Sequence, residues 1–439
     1  MKVCVLVLGF SIGSRLIAET PTPAPLDRRL NFIETIQWAI AHAPSLESVR
    51  TTQTIRDLEL ETAETVFLPQ LDLSTSYGLR GSAPKTGGSP YVSNFGLQLS
   101  ETLYDNGTSL TRRDAARLQK TIADLKYADE RDKLILAIAA SYFQYSLSKS
   151  LAEVQGQQFS IIDKQYRSVA AQYEQGVKTQ RDYLRFKSEL RRSEIEKQNS
   201  ETNILKARLD LMELIGLAPT DAGSQFDFLP WQINLKTLDN IPRVPPDQRQ
   251  HYRYRAAVLQ RQVLEKDLDL VRQQTGPEIS IAADANYQAS DFAFTGASFD
   301  ERDGTNITAL LSIKYKLWDW GTRRRNLSIA SAQNHVAEVT LDADLQSFER
   351  QAQKLMLDLE QGRKGLALAQ ELLTLETRNY QDLEADYRNG KVSYLEIVTA
   401  LSNLLSAKVQ LYSSYFAVQN LILTYRYHEG KLYASLLAK

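Results

Sequence analysis

Residues 317–325 read LWDWGTRRR, and residues 103–113 read LYDNGTSLTRR. Each phrase sets an aromatic, an acid, a glycine and a threonine between an alternating stretch and a long helix-like one. Gly107 and Gly321 stand 214 positions apart, as do Gly176 and Gly390, and Gly216 and Gly430. One shift shared by three pairs means two copies with common element lengths. Reading the phrase as a join between strand and helix therefore settles the architecture twice over.

Upstream of the first join, Leu71, Leu73, Tyr77 and Leu79 alternate with Asp72, Ser74, Ser76 and Arg80. After the loop GSAPKTGGSP, a second run puts Phe95, Leu97, Leu99 and Leu103 on one side. The second copy repeats the pattern with Ile279, Ile281, Ala283, Ala285 and Tyr287, then Ile307, Ala309, Leu311, Ile313, Tyr315 and Leu317. Period-two alternation of this length predicts strands with one apolar face, at 70–80, 92–104, 279–291 and 305–318. Downstream, Leu110 to Tyr173 contains no proline and a single glycine, Gly156. Steps of four and three from Leu136 reach Phe143, Leu147, Val154 and Ile161, and a second seam runs from Tyr394 through Leu401, Leu405, Tyr412 and Tyr415. Helices are expected at 109–173, 179–216, 323–387 and 393–430. The longer ones reach about 90 Å at 1.5 Å per residue, more than a globular core requires. YEQG and YRNG close the longer helices, and Gly176 and Gly390 supply the left-handed residue that ends a helix. Each phrase is thus the tip of a helical hairpin. The first repeat covers 19–240 and the second 241–439, with the Pro-rich run Ile241 to Pro246 as the seam.

Composition narrows the function classes. The 439 residues carry 52 Lys+Arg against 53 Asp+Glu, so no nucleic-acid partner is expected. No stretch beyond the N-terminus offers 18 consecutive apolar residues, so a helical span is not expected, while transmembrane strands stay open. Residues 1–18 read as a secretory signal peptide, with Lys2 ahead of an apolar run. Cys4, the one cysteine, would leave with it, so no disulfide framework is expected. His42, His251, His335 and His428 are scattered without metal-ligand spacing. With no phosphate loop or nucleophile elbow either, neither a metal, a cofactor nor an enzyme is expected.

Four strands do not close a barrel, and single-chain transmembrane barrels begin at about eight. Open edges in lipid leave backbone groups without water or partner. If the strands span a membrane, the chain must be an oligomer in which each copy adds four. About ten residues per strand, tilted by about 40°, match an apolar band roughly 25 Å tall. The pattern also admits a soluble sheet on a periplasmic coiled-coil scaffold or adhesion protein without a channel.

Several phrases in order resemble the TolC-type outer-membrane efflux family. Ile36-Gln37-Trp38-Ala39-Ile40 with Ala43-Pro44-Ser45-Leu46 is similar to the family's opening, and Phe67 to Leu73 resembles its helix-to-strand phrase. The Tyr-x-x-Gly tips, each with an acid six residues on (Asp182, Glu396), resemble its periplasmic tips, and Leu209 to Gly216 its helix end. The resemblance implies a fold that is mainly α with a β part. Duplicated long helical hairpins would form an α-barrel tunnel, and four strands per chain would form part of a trimeric transmembrane β-barrel. It implies a homotrimeric exit duct in the outer membrane of a Gram-negative bacterium. Such a duct passes drugs, small toxic compounds or proteins, with a periplasmic adaptor (membrane fusion protein) and an inner-membrane transporter as partners.

Carried over by position, Tyr387 and Asp182 match residues that link neighbouring hairpins, and Glu396 matches a constriction carboxylate. Thr399 stands where the family's best-known member has a second acid and Val392 where it has a linking arginine, leaving Lys391 as the neighbouring cation. Asp182 and Glu396 also suit a helix N-terminus, where the dipole favours acids. Gly107 and Gly321 would allow the turn at each join, with Thr108 and Thr322 as helix caps. Trp318, Trp320 and Tyr104 suit an interfacial girdle or local packing. Arg112, Arg113 and Arg323 to Arg325 suit an anionic rim, the tunnel entrance or a solvated first turn.

Overall fold

The computed structural model describes residues 28–66, 68–79, 91–217, 226–235, 241–289, 304–389 and 391–437. The expected signal peptide, Cys4 and Gly390 lie outside them.

The chain opens on a short strand β1 (Arg28–Leu30), then α1 (Phe32–His42) and α2 (Pro44–Thr65). Asn31 starts α1 through a reciprocal capping box with Glu34, and Pro44 fits the first turn of α2, where no N–H is needed. The strand hairpin β2 (Gln70–Leu79) and β3 (Tyr91–Tyr104) leads into α3 (Thr108–Glu174) and α4 (Gln180–Leu214). A strand β4 (Phe226–Phe228) pairs in parallel with β1. The second half repeats the order: α5 (Tyr252–Gln273), β5 (Glu278–Ala289), β6 (Gly304–Lys314), α6 (Thr322–Arg388) and α7 (Tyr394–His428), closed by α8 (Leu432–Leu437).

The duplication holds to the residue. Both ends of α3 and of α4 map onto α6 and α7 with a shift of 214, and the helices in each pair have equal length, 67 and 35 residues. Both ends of α2 and the start of β2 map onto α5 and β5 with a shift of 208. The two shifts differ by six, so six extra residues sit in the second strand hairpin. Packing obeys the same rule: a Cβ on Gly216 would meet the carbonyl of His42 at 2.9 Å, and one on Gly430 that of Gln250 at 3.1 Å.

The four long strands form one antiparallel sheet in the order β2-β3-β5-β6. Leu71 opposes Leu99, Leu99 in turn opposes Ala283, and Leu97 opposes Ala285, so the odd-numbered apolar residues share a face. That face is uncovered: Leu71, Leu73, Leu97, Leu99, Leu311 and Ile313 are all exposed. So broad an exposed apolar patch marks a surface that meets something other than water. One strand falls short of expectation. The alternation predicts a strand over 305–318, but β6 stops at Lys314, opposite Glu278 at the start of β5. Pro277 lies just before Glu278 and has no N–H to extend the ladder, so residues 315–318 find no strand partner among the described residues.

The main core is a collar around the middle of the long helices. Tyr142, Phe143, Tyr145, Phe348, Tyr415 and Leu211 are buried there with Ile36 from α1 and Phe228 from β4. Buried hydroxyls find partners: Tyr145 donates to Asp227 Oδ1 at 2.8 Å, and Tyr142 donates to the carbonyl of Leu229. Tyr415 Oη accepts from Trp231 Nε1 at 3.2 Å and from the Asn234 N–H at 3.1 Å. Further along, Val154, Leu401 and Leu405 form a second cluster with Ile161, Tyr380 and Tyr412, all but Tyr380 on the expected seams.

Candidate functional site

The hairpin tips gather most of the residues singled out for gating. At the first tip α3 ends at Glu174 and Gly176 takes a left-handed φ of 72°. The N–H of Val177 then reaches back to the carbonyl of Gln172 at 2.8 Å, which satisfies a terminal acceptor of α3. Only a few residues later Thr179 caps α4. Its hydroxyl donates to Asp182 Oδ2 at 2.9 Å and accepts from the Asp182 N–H at 3.2 Å. The Thr179 hydroxyl holds the Asp182 carboxyl below its ordinary range, which keeps a negative charge at the helix N-terminus.

The second tip is the image of the first. Lys391 N–H donates to the Asp386 carbonyl at 2.9 Å, and Ser393 Oγ donates to Glu396 Oε1 at 2.9 Å while accepting from the Glu396 N–H at 3.4 Å. Asp182 and Glu396 therefore occupy equivalent third positions of α4 and α7. Lys391 Nζ lies 3.5 Å from Asp386 Oδ1, a surface ion pair inside one hairpin. The images of Tyr387 and Ile397 in the first tip are Tyr173 and Tyr183, whose rings stack at 5.0 Å. Tyr166 donates to the Tyr183 hydroxyl at 3.3 Å, which braces the first tip with three aromatic rings. Periodicity gave no sign of that brace, because Tyr166 and Tyr183 meet across the hairpin rather than along one helix.

The joins differ from expectation in one respect. Gly107 and Gly321 are the N-caps, left-handed at φ 82° and 77°, and neither Thr108 nor Thr322 caps with its side chain. The acid of the repeated phrase does that work: Asp105 Oδ2 accepts from the Ser109 N–H at 2.7 Å, and Asp319 Oδ2 from the Arg323 N–H at 2.7 Å. A glycine cap has no side chain to offer, so the carboxylate two residues earlier curls over the helix end. Trp318 and Trp320 stand open to solvent, edge to face at 5.8 Å. Among the described residues no group of His, Cys, Asp and Glu could hold a metal ion, and no helix is long and apolar enough to cross a membrane.

Comparison with known proteins supplies the deciding observation. The family model described as outer membrane efflux protein matches residues 35–217 and 251–414, both repeats and both tips. The chain belongs to the outer membrane efflux protein family. The fold recurs in the CmeC outer membrane channel of Campylobacter jejuni, at 17% identity and a TM-score of 0.78, over 95% of this chain and 90% of that one. It recurs in a membrane protein from Pseudomonas aeruginosa, at 16% identity and a TM-score of 0.74, over 91% and 92% of the two chains. The open state of the MtrE outer membrane channel of Neisseria gonorrhoeae shares it at 17% identity and a TM-score of 0.72, over 94% of each chain. No curated protein matches the sequence. An outer membrane efflux protein resides in the outer membrane and extends into the periplasm. The soluble scaffold reading loses its premise.

Proposed function

We propose that this chain forms a homotrimeric outer-membrane channel and periplasmic exit duct of a tripartite efflux or type I secretion system. It exports drugs, small toxic compounds or proteins passively, and a periplasmic adaptor and an inner-membrane transporter supply the coupling and the energy. The observation that carries this reading is one sheet with an apolar face and two open edges, continued by two helices of 67 residues. Three copies give a closed wall of twelve strands without edges in lipid, standing on twelve long helices.

In this reading the periplasmic end narrows at the tips. Asp182 and Tyr387 link neighbouring hairpins, Glu396 rings the constriction, Lys391 stands beside it, and Gly176 and Gly390 make the reversals. Three Glu396 carboxylates facing one opening would favour cations over anions. The caps found at both tips shape the test, because Asp182 closes a capping box with Thr179 and Glu396 pairs with the Ser393 hydroxyl, so alanine would damage the helix start as well as the ring. Asp182→Asn and Glu396→Gln keep a side-chain acceptor while removing the charge. In planar bilayers the paired variant should show larger single-channel conductance, and Glu396→Gln alone should shift the reversal potential toward lower cation preference. Unchanged conductance and selectivity would place the closing contacts elsewhere. Absence of any channel in the unaltered protein would sink the duct reading.

A further inference from the structure

The internal repeat carries an inference about how one copy meets the next, and it rests on the oligomeric channel proposed above. Shifting β2 by 208 and β3 by 214 turns the first strand hairpin into the second, rung by rung. Gln70–Ser100 becomes Glu278–Lys314, Leu71–Leu99 becomes Ile279–Ile313, and Leu79–Tyr91 becomes Tyr287–Thr305, each an observed pair. The contact between the two hairpins, β3 on β5, has no image inside the chain. Its image would join β6 to β2, the two edges the described sheet leaves open.

Applying the same shifts to the observed rungs of β3 on β5 yields a register. Gln98–Asp284 becomes Ser312–Ser76, Leu99–Ala283 becomes Ile313–Thr75, Thr102–Ser280 becomes Lys316–Asp72, and Tyr104–Ile279 becomes Trp318–Leu71. We infer that β6 of one copy pairs antiparallel with β2 of the next copy in this register.

Three independent features fit it. The rung Lys316–Asp72 opposes a cation and an anion, both exposed in the single chain, although charge played no part in deriving it. The early end of β6 also finds its cause. Residues 101–104 of β3 stay in the strand because β5 holds them through Glu101–Ile281, Thr102–Ser280 and Tyr104–Ile279. Their images, residues 315–318, lack only the equivalent neighbour, the start of β2 in another copy. The third feature is Trp320, which holds a left-handed φ of 54°, uncommon for so large a side chain. Its image Asn106 tolerates that backbone and donates from Nδ2 to the carbonyl of Gln273 at 3.0 Å, close against Gly276. The images of Gln273 and Gly276 are Thr65 and Leu68, and Leu68 is an exposed apolar side chain. The exposed Trp320 ring thus gains an apolar seat on Leu68 of the next copy, where the first join has a polar contact.

Cysteine pairing in the intact outer membrane tests the register. Cys4 is the sole cysteine and is first replaced (Cys4→Ala), so only introduced thiols react. Neighbouring rungs of an antiparallel ladder alternate between close and wide spacing, and the close type suits a disulfide. Two double variants therefore cover both phases: Ser312→Cys with Ser76→Cys, and Ile313→Cys with Thr75→Cys. Ser312→Cys with Ser74→Cys serves as the register slipped by two. Expected are covalent dimers and trimers from at least one of the first two on mild oxidation, at several-fold higher yield than from the slipped variant. Preferential linking of the slipped variant, or no linking while the unaltered protein sediments as an oligomer, overturns the register and leaves the channel reading standing. A protein that neither links nor sediments above one copy overturns both.

Discussion

His251 shows how one buried side chain ties a helix start to pH. It is fully buried at the N-cap of α5, and its Nδ1 accepts from the Arg253 N–H at 3.1 Å. A protonated imidazole has no acceptor, so charging the ring breaks the cap. Burial pushes its pKa down to about 4, against the pull of Asp129, whose Oδ1 lies 3.6 Å from Nε2. His428, Arg253 and Lys133 face the same ring and push in the direction of burial. Between about pH 4 and 6.5 the unfolded chain therefore binds a proton that the folded chain refuses. The stability this residue contributes is complete above about 6.5 and is lost as pH falls toward about 4, on the order of 1–3 kcal/mol. Detergent-solubilised protein should show a lower Tm at pH 5 than at pH 7.5, and His251→Asn, which keeps a capping acceptor, should flatten that difference. The histidine was visible in the sequence but its role was not, because capping depends on which backbone N–H the ring meets. The acids of the repeated joins teach the same lesson. Asp105 and Asp319 were read as part of a phrase, yet threonine looked like the better cap until the left-handed glycine put it inside the helix.

Whole elements were more legible. Alternation marked all four strands, and the absence of proline marked the long helices, because both signals repeat over many residues. The end of β6 was not legible, since a strand exists only where a neighbour holds it, and hydropathy says nothing of neighbours. The collar was equally hidden. Its ties run from Tyr415 of α7 to the segment after β4, some 180 positions earlier, and no local pattern reports such a contact. Tyr415→Phe removes one buried oxygen that serves two donors, with no change in shape. A loss of about 1–3 kcal/mol is expected, read as a lower Tm or a lower denaturant midpoint. Helix content by circular dichroism should stay the same, because the collar ties elements together rather than forming them.

At the scale of the molecule, the two faces of the sheet predict opposite responses to the same change. Leu311 lies on the apolar face amid Ile307, Ala309 and Ile313, whereas Ser312 lies on the other. Arginine on a lipid-facing strand near mid-membrane costs about 2–4 kcal/mol, and much less where water reaches it. Leu311→Arg should sharply reduce assembled protein in the outer membrane, while Ser312→Arg should assemble and alter conductance instead. Equal assembly of both would mean that the exposed apolar face does not meet lipid. The collar adds a mechanical consequence. From Tyr142 in the collar to Glu174 at the end of α3 the helix is unbroken, roughly 50 Å at 1.5 Å per residue. Each hairpin is in that respect a stiff lever with its fulcrum in the collar. A tilt of about 5° there, small enough for side chains to absorb without repacking, sweeps the tip through roughly 4 Å on the helix geometry above. A small change at the collar is thus read as a wide displacement at the tip, and force applied at the tip works on the collar with the full length of the arm.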